Sequence, residues 1–425
     1  MKRILLASAA LTAFAGAAAA EVTFTGDARL GYNDKEAYHT TTGARLDDNY
    51  GFYWRARLYA GLSQELDNGL TFGGKFRING VASNSLGSSV TTSNLQLWLT
   101  AGDLGGLYFG DYEFSAVDAW KAAGAMFADG FSEQDGEYTL RGDINYGDVV
   151  VSVSTPVSAN DVESPTNRTN DSVMGQWNLA ASTTFGQFDV VFAYQGKGDD
   201  EYFAMWDHDN NPLTNDVYIH KVGDDLNENE IYALSVGTTY AGASMRLSYA
   251  YTNYADDFTI GGATSANGYS QSSLGLSASY PIGPVALSGW LVYEDGDISD
   301  FVDENVFYGV KVAYASNGFD ISLDYGERLA NNAGIGGRDA RVVLEGGYKL
   351  DNGLALNAGY LSRDSWNIGS GEAYYVGGTY DLGSGAKLLV SYVDADETSN
   401  SYLDDDEVGK LEWQNGTTVE VSFKF

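Results

Sequence analysis

One stretch of the chain, Tyr50–Ser63 with the sequence YGFYWRARLYAGLS, decides the fold. Large apolar side chains stand at every second position, Phe52, Trp54 and Leu58 among them, whereas Arg55 and Arg57 stand between them. A period of two places the two sets on opposite faces of a β-strand and excludes a helix, whose period is 3.6. The stretch therefore predicts a strand with one apolar face and one charged face that lies in water.

The same alternation recurs from one end of the chain to the other. Further apolar faces are formed by Val22, Phe24, Ala28, Leu30 and Tyr32, by Leu70, Phe72, Phe76 and Ile78, and by Val419, Val421, Phe423 and Phe425. Glycine supplies 52 of the 425 residues, about 12% against roughly 7% in average proteins. We therefore expect an all-β protein with many strands and tight turns.

The connections between the predicted strands fall into two classes that alternate. Short turns rich in Gly, Asn and Asp suit tight hairpins, because their central residues often need positive φ; they are expected at 67–69, 102–106, 147–148, 186–187, 241–242, 281–284, 316–318, 351–353 and 383–385. Long, mostly acidic connections are expected near 34–48, 82–92, 113–136, 157–172, 197–229, 255–269, 295–304, 329–338, 364–372 and 394–415. This pattern predicts 20 antiparallel strands, with the first able to pair with the last.

The first twenty residues are typical of a signal peptide. Lys2 and Arg3 precede an apolar segment from Ile4 to Phe14, and Ala18-x-Ala20 is a small-residue cleavage site. We predict that residues 1–20 are removed and that residues 21–425 form a single domain. A retained membrane anchor is the alternative, but the apolar segment is too short and a polar alternating strand follows it directly.

Charge and cysteine content exclude several classes of protein. The mature chain carries 22 basic and 58 acidic residues, a net charge of −36, so non-specific nucleic-acid binding is excluded. No mature segment approaches 18 consecutive apolar residues, so no transmembrane helix is expected. The chain has no cysteine, and its stability must come from the closed backbone and from its size.

An open sheet of this size would expose its edges, whereas a closed sheet has none. Strands of about ten residues with an apolar outer band, a polar inner face and long loops at one end are typical of a bacterial outer-membrane barrel. Tyrosines near the strand ends fit the aromatic girdles of such a barrel: Tyr280, Tyr293, Tyr314, Tyr325, Tyr348, Tyr360 and Tyr380. A soluble β-sandwich or solenoid is the alternative, but it explains neither the girdles nor the alternating loop lengths.

Three segments resemble the general diffusion porins of Gram-negative outer membranes, of the alpha-proteobacterial, purple-bacterial type. They are the mature start Glu21–Tyr32, the strand Leu107–Asp111 before the third loop, and the terminal Val421–Phe425. The resemblance spans the mature chain and implies a homotrimer in outer-membrane lipid and lipopolysaccharide, assembled by the barrel-assembly machinery through Phe425, with the third loop folded into each pore. Such porins typically have 16 strands, whereas hairpins near 304–328 and 339–364 raise the count here to 20, with 18 possible.

The third loop is the candidate constriction, since a barrel this wide cannot be filled by its own side chains. Ser115 is expected to cap a short helix, from which Trp120, Ala123 and Phe127 would project as anchors. The acids of the loop are Glu113, Asp118, Asp129, Glu133 and Asp135.

A positive wall is expected to face this loop. Five cations fall on inward positions of the first three strands, namely Arg29, Arg55, Arg57, Lys75 and Arg77, and Arg141 extends the set. A positive wall opposite an acidic loop would create a transverse field that orients polar solutes. Alternatively, these cations pair with local acids such as Asp27 and stiffen the wall.

No cofactor is expected, apart from loosely bound Ca²⁺ at the acidic outer loops. The segment Asp207-x-Asp209-x-Asn211 begins like an EF-hand loop, but Pro212 and Tyr218 stand where Gly and Glu are required, so an EF-hand is excluded. Solvated charge is the simpler interpretation of these acids.

The predicted function is passive diffusion of small hydrophilic solutes and ions, with a preference for cations. A sugar-specific channel is the alternative, and Tyr53, Tyr59, Trp98, Tyr108 and Trp290 are its candidate inward aromatics. A barrel-borne hydrolase would need a base near a nucleophile, but His39, His208 and His220 all fall in long loops and no catalytic motif is present. A plugged transporter would need a globular domain before the first strand.

Overall fold

The computed structural model describes residues 21–34, 51–83, 87–134, 138–157, 175–198, 229–254, 259–260, 263–264, 270–296, 305–329, 338–365, 371–395 and 408–425. The predicted signal peptide, most of the predicted long connections and all three histidines lie outside these residues. No helix in the described part of the chain is long and apolar enough to cross a membrane.

The described residues form one antiparallel sheet of 20 strands, as the alternation of the sequence predicts. In chain order the strands are β1 Glu21–Asn33, β2 Gly51–Glu65, β3 Thr71–Ser83, β4 Gly87–Thr100, β5 Gly105–Gly110, β6 Tyr138–Tyr146, β7 Val149–Val157, β8 Asn178–Phe185, β9 Phe188–Gln195, β10 Glu230–Tyr240, β11 Ala243–Asn253, β12 Ser270–Ile282, β13 Val285–Gly296, β14 Asn305–Ser316, β15 Phe319–Leu329, β16 Arg338–Lys349, β17 Leu354–Ser365, β18 Gly371–Gly383, β19 Ala386–Ala395 and β20 Gly416–Lys424. Two further strands of two residues each, Thr259–Ile260 and Ala263–Thr264, pair with each other outside this sheet.

The sheet closes because β1 pairs with β20, with Asp27 opposite Lys424 and Asn33 opposite Thr418. Phe425 continues the closure beyond the last strand: its N–H donates to the Gly26 carbonyl at 3.0 Å, and the Gly26 N–H donates back at 2.9 Å. Every strand therefore has two neighbours, and no edge is left to pair with another chain. The prediction that the first and last strands meet is confirmed.

The two additional hairpins are part of the barrel wall. β14 and β15 pair with each other and with β13 and β16, and β16 and β17 continue the sheet to β18. A 16-strand barrel is thereby ruled out. The long connection predicted near 82–92 was wrong, because β3 extends to Ser83 and β4 begins at Gly87. This Ser- and Thr-rich run suggested a loop, but its Thr and Val residues favour strands once both neighbours supply hydrogen bonds.

The two faces of the wall are those that the alternation predicts. Phe52 is 72% exposed and Leu30 is 59% exposed on the outer face, whereas the inward Asn33 is fully buried. The predicted tyrosine girdles are also present: Tyr280, Tyr314, Tyr348 and Tyr380 lie toward the short-turn end of their strands, and Tyr293, Tyr325 and Tyr360 toward the opposite end. At that second end, outward tyrosines donate to carboxylates, as Tyr374 does to Asp394 at 2.6 Å.

Candidate functional site

The third loop, described over residues 111–134, leaves the wall at a point where the sheet itself is irregular. β4 bulges at Asn94, whose φ is 53°, and β5 ends at Gly110, whose φ of 114° suits glycine alone. The Asp111 N–H donates to the Leu95 carbonyl at 2.7 Å, and the Asn94 side-chain amide donates to the Asp111 carboxylate. These contacts turn the chain away from the wall and into the lumen.

The helix predicted in this loop is shorter than expected and begins differently. α1 is Ser115–Ala119, and its N-cap is Phe114, which makes no side-chain capping bond. Ser115 is not the cap, because its N–H donates to Ser154 Oγ at 2.7 Å and its hydroxyl bonds Ser152 Oγ at 2.7 Å. The Ser115 hydroxyl, which was expected to cap the helix, is therefore bonded to a serine of β7 instead.

Beyond α1, the loop is held along the wall by backbone hydrogen bonds to inward side chains. The Ala128 N–H donates to Ser273 Oγ at 2.8 Å, the Phe127 N–H donates to Glu294 Oε1 at 3.0 Å, and Thr252 Oγ1 donates to the Ala128 carbonyl at 2.6 Å. Glu294 is fully buried, and the Ser273 hydroxyl also donates to it at 2.6 Å. The loop therefore rests on a built socket at β11–β13.

An apolar patch inside the lumen completes this attachment. Ala116, Ala128 and Phe131 of the loop pack on small or aliphatic residues of β9–β11, namely Ala193, Ile231, Ala233 and Ala250. These wall residues face inward, where the alternation predicts polar side chains. Of the predicted anchors, Trp120 packs against this cluster and Ala123 is fully buried, but Phe127 stays 51% exposed with its ring 5.2 Å from that of Phe307.

The predicted loop acids have separate structural roles. Glu113 accepts from the Gln134 N–H at 3.3 Å across the base of the loop, and loss of solvent raises the pKa of its carboxyl. Asp129 accepts from Trp120 Nε1 at 2.8 Å, and burial raises its pKa as well. Glu133 is exposed. Asp135 lies outside the described residues.

Asp118 and Arg141 tie the loop to the wall. Arg141 Nη1 lies 2.7 Å from Asp118 and its Nε lies 2.8 Å from Asp143 of the same strand. Arg141, predicted to extend the positive wall from the strand after the third loop, lies on that strand, β6, beside the loop. Asp118 and Asp143 both pair with the guanidinium there, so Arg141 holds α1 against the wall.

Three of the predicted cations form one cluster with two carboxylates. Asp27 of β1 accepts from Arg57 Nε at 2.9 Å and from Arg55 Nη2 at 3.3 Å. Arg29 stands opposite Arg55 in the β1–β2 register and lies 3.9 Å from Glu420 of β20. These arginines therefore pair with local acids and their side chains also remain on the inward face, so the pairing and a role in the pore do not exclude each other.

The other two wall cations have no carboxylate partner within the described residues. Arg77 Nε donates to Ser93 Oγ at 3.0 Å, and Lys75 Nζ lies 5.2 Å from the centre of the Tyr59 ring. Together with the first three, they leave an excess of positive charge on β1–β3. Because β2 and β12 are ten strands apart in a closed sheet of 20, this positive wall faces the socket that holds the tip of the third loop.

A second segment of the chain also packs inside the barrel, which the sequence did not indicate. Residues 408–415, here called the C-terminal inset, form a tight turn closed by the Val408–Trp413 bridge. The inset packs on the inward face of β18 and β19, in a cluster of Ala373, Tyr375, Val393, Ala395, Val408 and Trp413.

The inset is also held by polar contacts that reach further round the wall. The Lys410 N–H and the Tyr375 hydroxyl both donate to Glu345 Oε1, at 2.8 and 2.7 Å, and Lys410 Nζ lies 2.7 Å from Asp320. Gly409 allows this approach, since a Cβ there would stand 2.2 Å from the Tyr375 ring. Of the described segments, the third loop covers the wall from β6 to β14 and the inset covers β15 to β19, so the positive wall stays open to the lumen.

A family model described as Gram-negative porin matches residues 7–367 and, in a second overlapping match, residues 261–401. No match was found among curated proteins.

Solved outer-membrane barrels are similar over nearly the whole chain at low sequence identity. An engineered mutant of the Rh. blastica porin is 15% identical, with 95% of this chain and 100% of that chain covered and a TM-score of 0.36. A loop-deletion mutant of OmpT, an outer membrane protein of Vibrio cholerae, is 16% identical, with 96% and 100% covered and a TM-score of 0.37. A porin refined at 1.8 Å is 16% identical, with 95% and 100% covered and a TM-score of 0.38.

Proposed function

Since this chain belongs to the Gram-negative porin family and forms an outer-membrane porin channel, we propose that it carries small hydrophilic solutes and ions by passive diffusion and prefers cations. One observation carries the proposal: a closed 20-strand barrel has a polar lumen that is narrowed by an infolded third loop. A barrel of this width is not filled by its own side chains, so water and small solutes have a path between the loop and the opposite wall.

The cation preference follows from the balance of charge. The net charge of the mature chain is −36, which far exceeds the local positive charge of the wall, where Asp27 and Glu420 pair with three of the five cations. A long pore inside an acidic protein therefore holds a negative potential that raises the local concentration of cations. The positive wall opposes this preference locally and supplies one side of a transverse field, with the third loop on the other.

Reversal potentials in planar bilayers under a salt gradient test both parts of the proposal. We expect stepwise ion conductance and a reversal potential of the sign that marks cation preference. A bilayer that shows no current steps above the background of the lipid alone would reject passive diffusion. A clear anion preference would mean that the positive wall outweighs the acids of the pore.

We propose that the protein is exported through the periplasm after removal of residues 1–20, and that it works as a homotrimer in contact with lipopolysaccharide. Phe425 supports a contact with the barrel-assembly machinery, because its side chain is apolar and 64% exposed at the open end of β20. Light scattering in detergent should give three times the mass of one chain, and mass spectrometry of the mature protein should find Glu21 at its start. A monomer, or a retained leader, would contradict these assignments.

A sugar-selective channel is the second candidate function, and one of its five predicted aromatics supports it. Tyr53 is buried and its hydroxyl donates to Glu420. Lys75 covers the ring of Tyr59, and Tyr108 packs on Tyr112. Trp98 and Trp290 lie across glycines of the neighbouring strands, and Trp290 also lines a recess of the lumen. The Gram-negative porin family and its fold are typically those of channels without enzymatic activity, so we propose no hydrolase.

A further inference from the structure

A recess of about 680 Å³ opens into the lumen between the third loop and the short-turn end of the barrel. Its back wall is the inward face of β9–β13, and the loop segment around Lys121 and Gly124 lies above it. The Lys121 carbonyl accepts from Ser248 at 2.9 Å, and a Cβ on Gly124 would stand 2.8 Å from the Trp290 ring. The recess therefore lies on the short-turn side of the third loop and is open to the lumen there.

One row of the back wall carries an ion pair at one end and an indole at the other. Arg246, Ser277 and Trp290 are direct neighbours on β11, β12 and β13, but the guanidinium lies over Gly237 of β10 and the indole over Gly309 of β14, four strand spacings or about 19 Å apart. Arg246 Nη2 donates to Asp189 at 2.7 Å, and Lys121 Nζ approaches the same carboxylate at 3.4 Å. The serine between the two ends is small and leaves the gap open.

The next row toward the short turns consists of hydroxyls alone. Thr239, Ser244, Ser279 and Ser288 are paired in succession across β10–β13. Each hydroxyl can donate one hydrogen bond and accept others. The floor of the recess is thus a continuous line of neutral donors and acceptors.

Glycines keep both ends of the upper row flat against the wall. A Cβ on Gly237 would stand 2.3 Å from Asp189 and 2.4 Å from Arg246, so the ion pair lies directly across this residue. A Cβ on Gly309 would stand 2.4 Å from the Trp290 indole nitrogen. Any larger residue at either position would push these groups into the recess and close it.

We propose that this recess is a binding site for pyranose sugars. The proposal rests on the diffusion function above and names a solute class for the same channel. The uncovered part of the Trp290 indole would take the apolar C–H face of one ring. The hydroxyl floor would replace water along the edge of the sugar, and Asp189 and Arg246 would accept from and donate to sugar hydroxyls at the other end of the recess.

The composition of the recess favours a sugar over other small solutes. Arg246 and Lys121 share the single Asp189 carboxylate, so a cation meets a net positive charge there, and an anion meets one extra charge that lies on the solvent-exposed Lys121 ammonium. An apolar solute would have to strip water from the hydroxyl row without replacing its hydrogen bonds. A sugar ring with one apolar face and several hydroxyls can stack on the indole and bond to the hydroxyl row at the same time.

The test is titration of the single-channel conductance of the wild-type protein with maltose, and with sorbitol as an open-chain polyol control. Maltose should lower the conductance saturably, whereas sorbitol should lower it only in proportion to the conductivity of the bulk solution. Trp290→Ala should weaken the apparent maltose affinity about ten-fold. Trp54→Ala, which removes an indole from the outer face, should bind maltose like the wild type.

A second variant keeps the test decisive if Trp290→Ala fails to assemble. Ser277→Leu fills the gap between Arg246 and Trp290 and should abolish saturation, while ion conductance continues. Maltose behaving like sorbitol in a conducting wild-type channel would overturn the sugar site and leave the diffusion function standing. Equal maltose affinity in the wild type and Ser277→Leu would also overturn it. Absence of any conductance would instead reject the diffusion function.

Discussion

Removing the charge of Arg77 should increase the cation preference of the channel. Arg77 suits this experiment because its Nε donates to a neutral hydroxyl, Ser93 Oγ at 3.0 Å, so that Arg77→Gln leaves no carboxylate without a partner. At about 10 Å in water, one unit charge changes the energy of a monovalent ion by about 0.4 kcal/mol. Loss of the guanidinium lowers the barrier for a cation and raises that for an anion by this amount.

Screening by salt then sets the size of the effect. The Debye length is about 10 Å at 0.1 M salt and about 30 Å at 0.01 M, so the permeability ratio of cation to anion should rise about two-fold and about three-fold, respectively. Reversal potentials measured at both salt concentrations give these ratios directly. Arg77→Lys retains the charge and should match the wild type.

This expectation would be refuted by a folded Arg77→Gln channel whose cation-to-anion permeability ratio at about 0.01 M salt is equal to or lower than that of the wild type. Heat resistance of the barrel on detergent gels serves as the folding control, because a lumen position should not carry insertion energy. A loss of heat resistance in Arg77→Gln would mean that the hydrogen bond from Arg77 to Ser93 stabilises the barrel, and the change in selectivity could then not be assigned to charge alone.

Three further predictions concern other parts of the wall and the loop. Leu58→Arg, on the outer face next to Arg57, should cost about 2–4 kcal/mol near the midplane and lower the heat resistance of the barrel with little change in selectivity; a normal barrel would show that the faces are reversed. Glu294→Ala should leave the Phe127 amide and its other donors without their acceptor, and the loosened loop should increase open-channel current noise while the barrel stays heat-resistant; a quiet channel would contradict the socket. Loss of solvent raises the pKa of Glu113, so its carboxylate should become protonated above the usual Glu range as the pH falls. The cation preference, measured by reversal potentials, should therefore decline between about pH 7 and about pH 4. The decline should be smaller in Glu113→Gln. An identical pH profile in the wild type and Glu113→Gln would mean that other acids set the preference.

The strands and their number were predictable because each strand carries its own signal. A strand between lipid and water has an apolar face and a polar face, so residues such as Phe52 and Arg55 reveal both the period and the orientation. The same rule identified the hairpins β14–β15 and β16–β17, although the family resemblance implied fewer strands. The rule failed near 82–92, where a polar run lacks the apolar alternation and only pairing with its neighbours makes it a strand.

The contents of the lumen were predictable only in part. Parity predicts an inward face for Arg55 and Arg77, but it does not say that Arg55 meets Asp27 whereas Arg77 bonds to the hydroxyl of Ser93. Arg141 has the same parity and a different partner, because the third loop brings Asp118 to it from 23 positions away. The cap of α1 was wrong for the same reason, since Ser115 bonds to serines of β7.

By itself, the sequence determined the β-barrel, its 20 strands and its inner and outer faces, because these follow from local periodicity and from the chemistry of turns, whereas the loop inside the pore was implied by the family resemblance. Only the tertiary structure decided where the third loop rests, that residues 408–415 also enter the barrel, and that a Trp290 recess lies beneath the loop. Those features depend on inward alanines and glycines such as Ala193, Gly237 and Gly309, which make room for another segment or side chain. Room of this kind is a property of strands brought together by closure, and no local pattern along the chain encodes it.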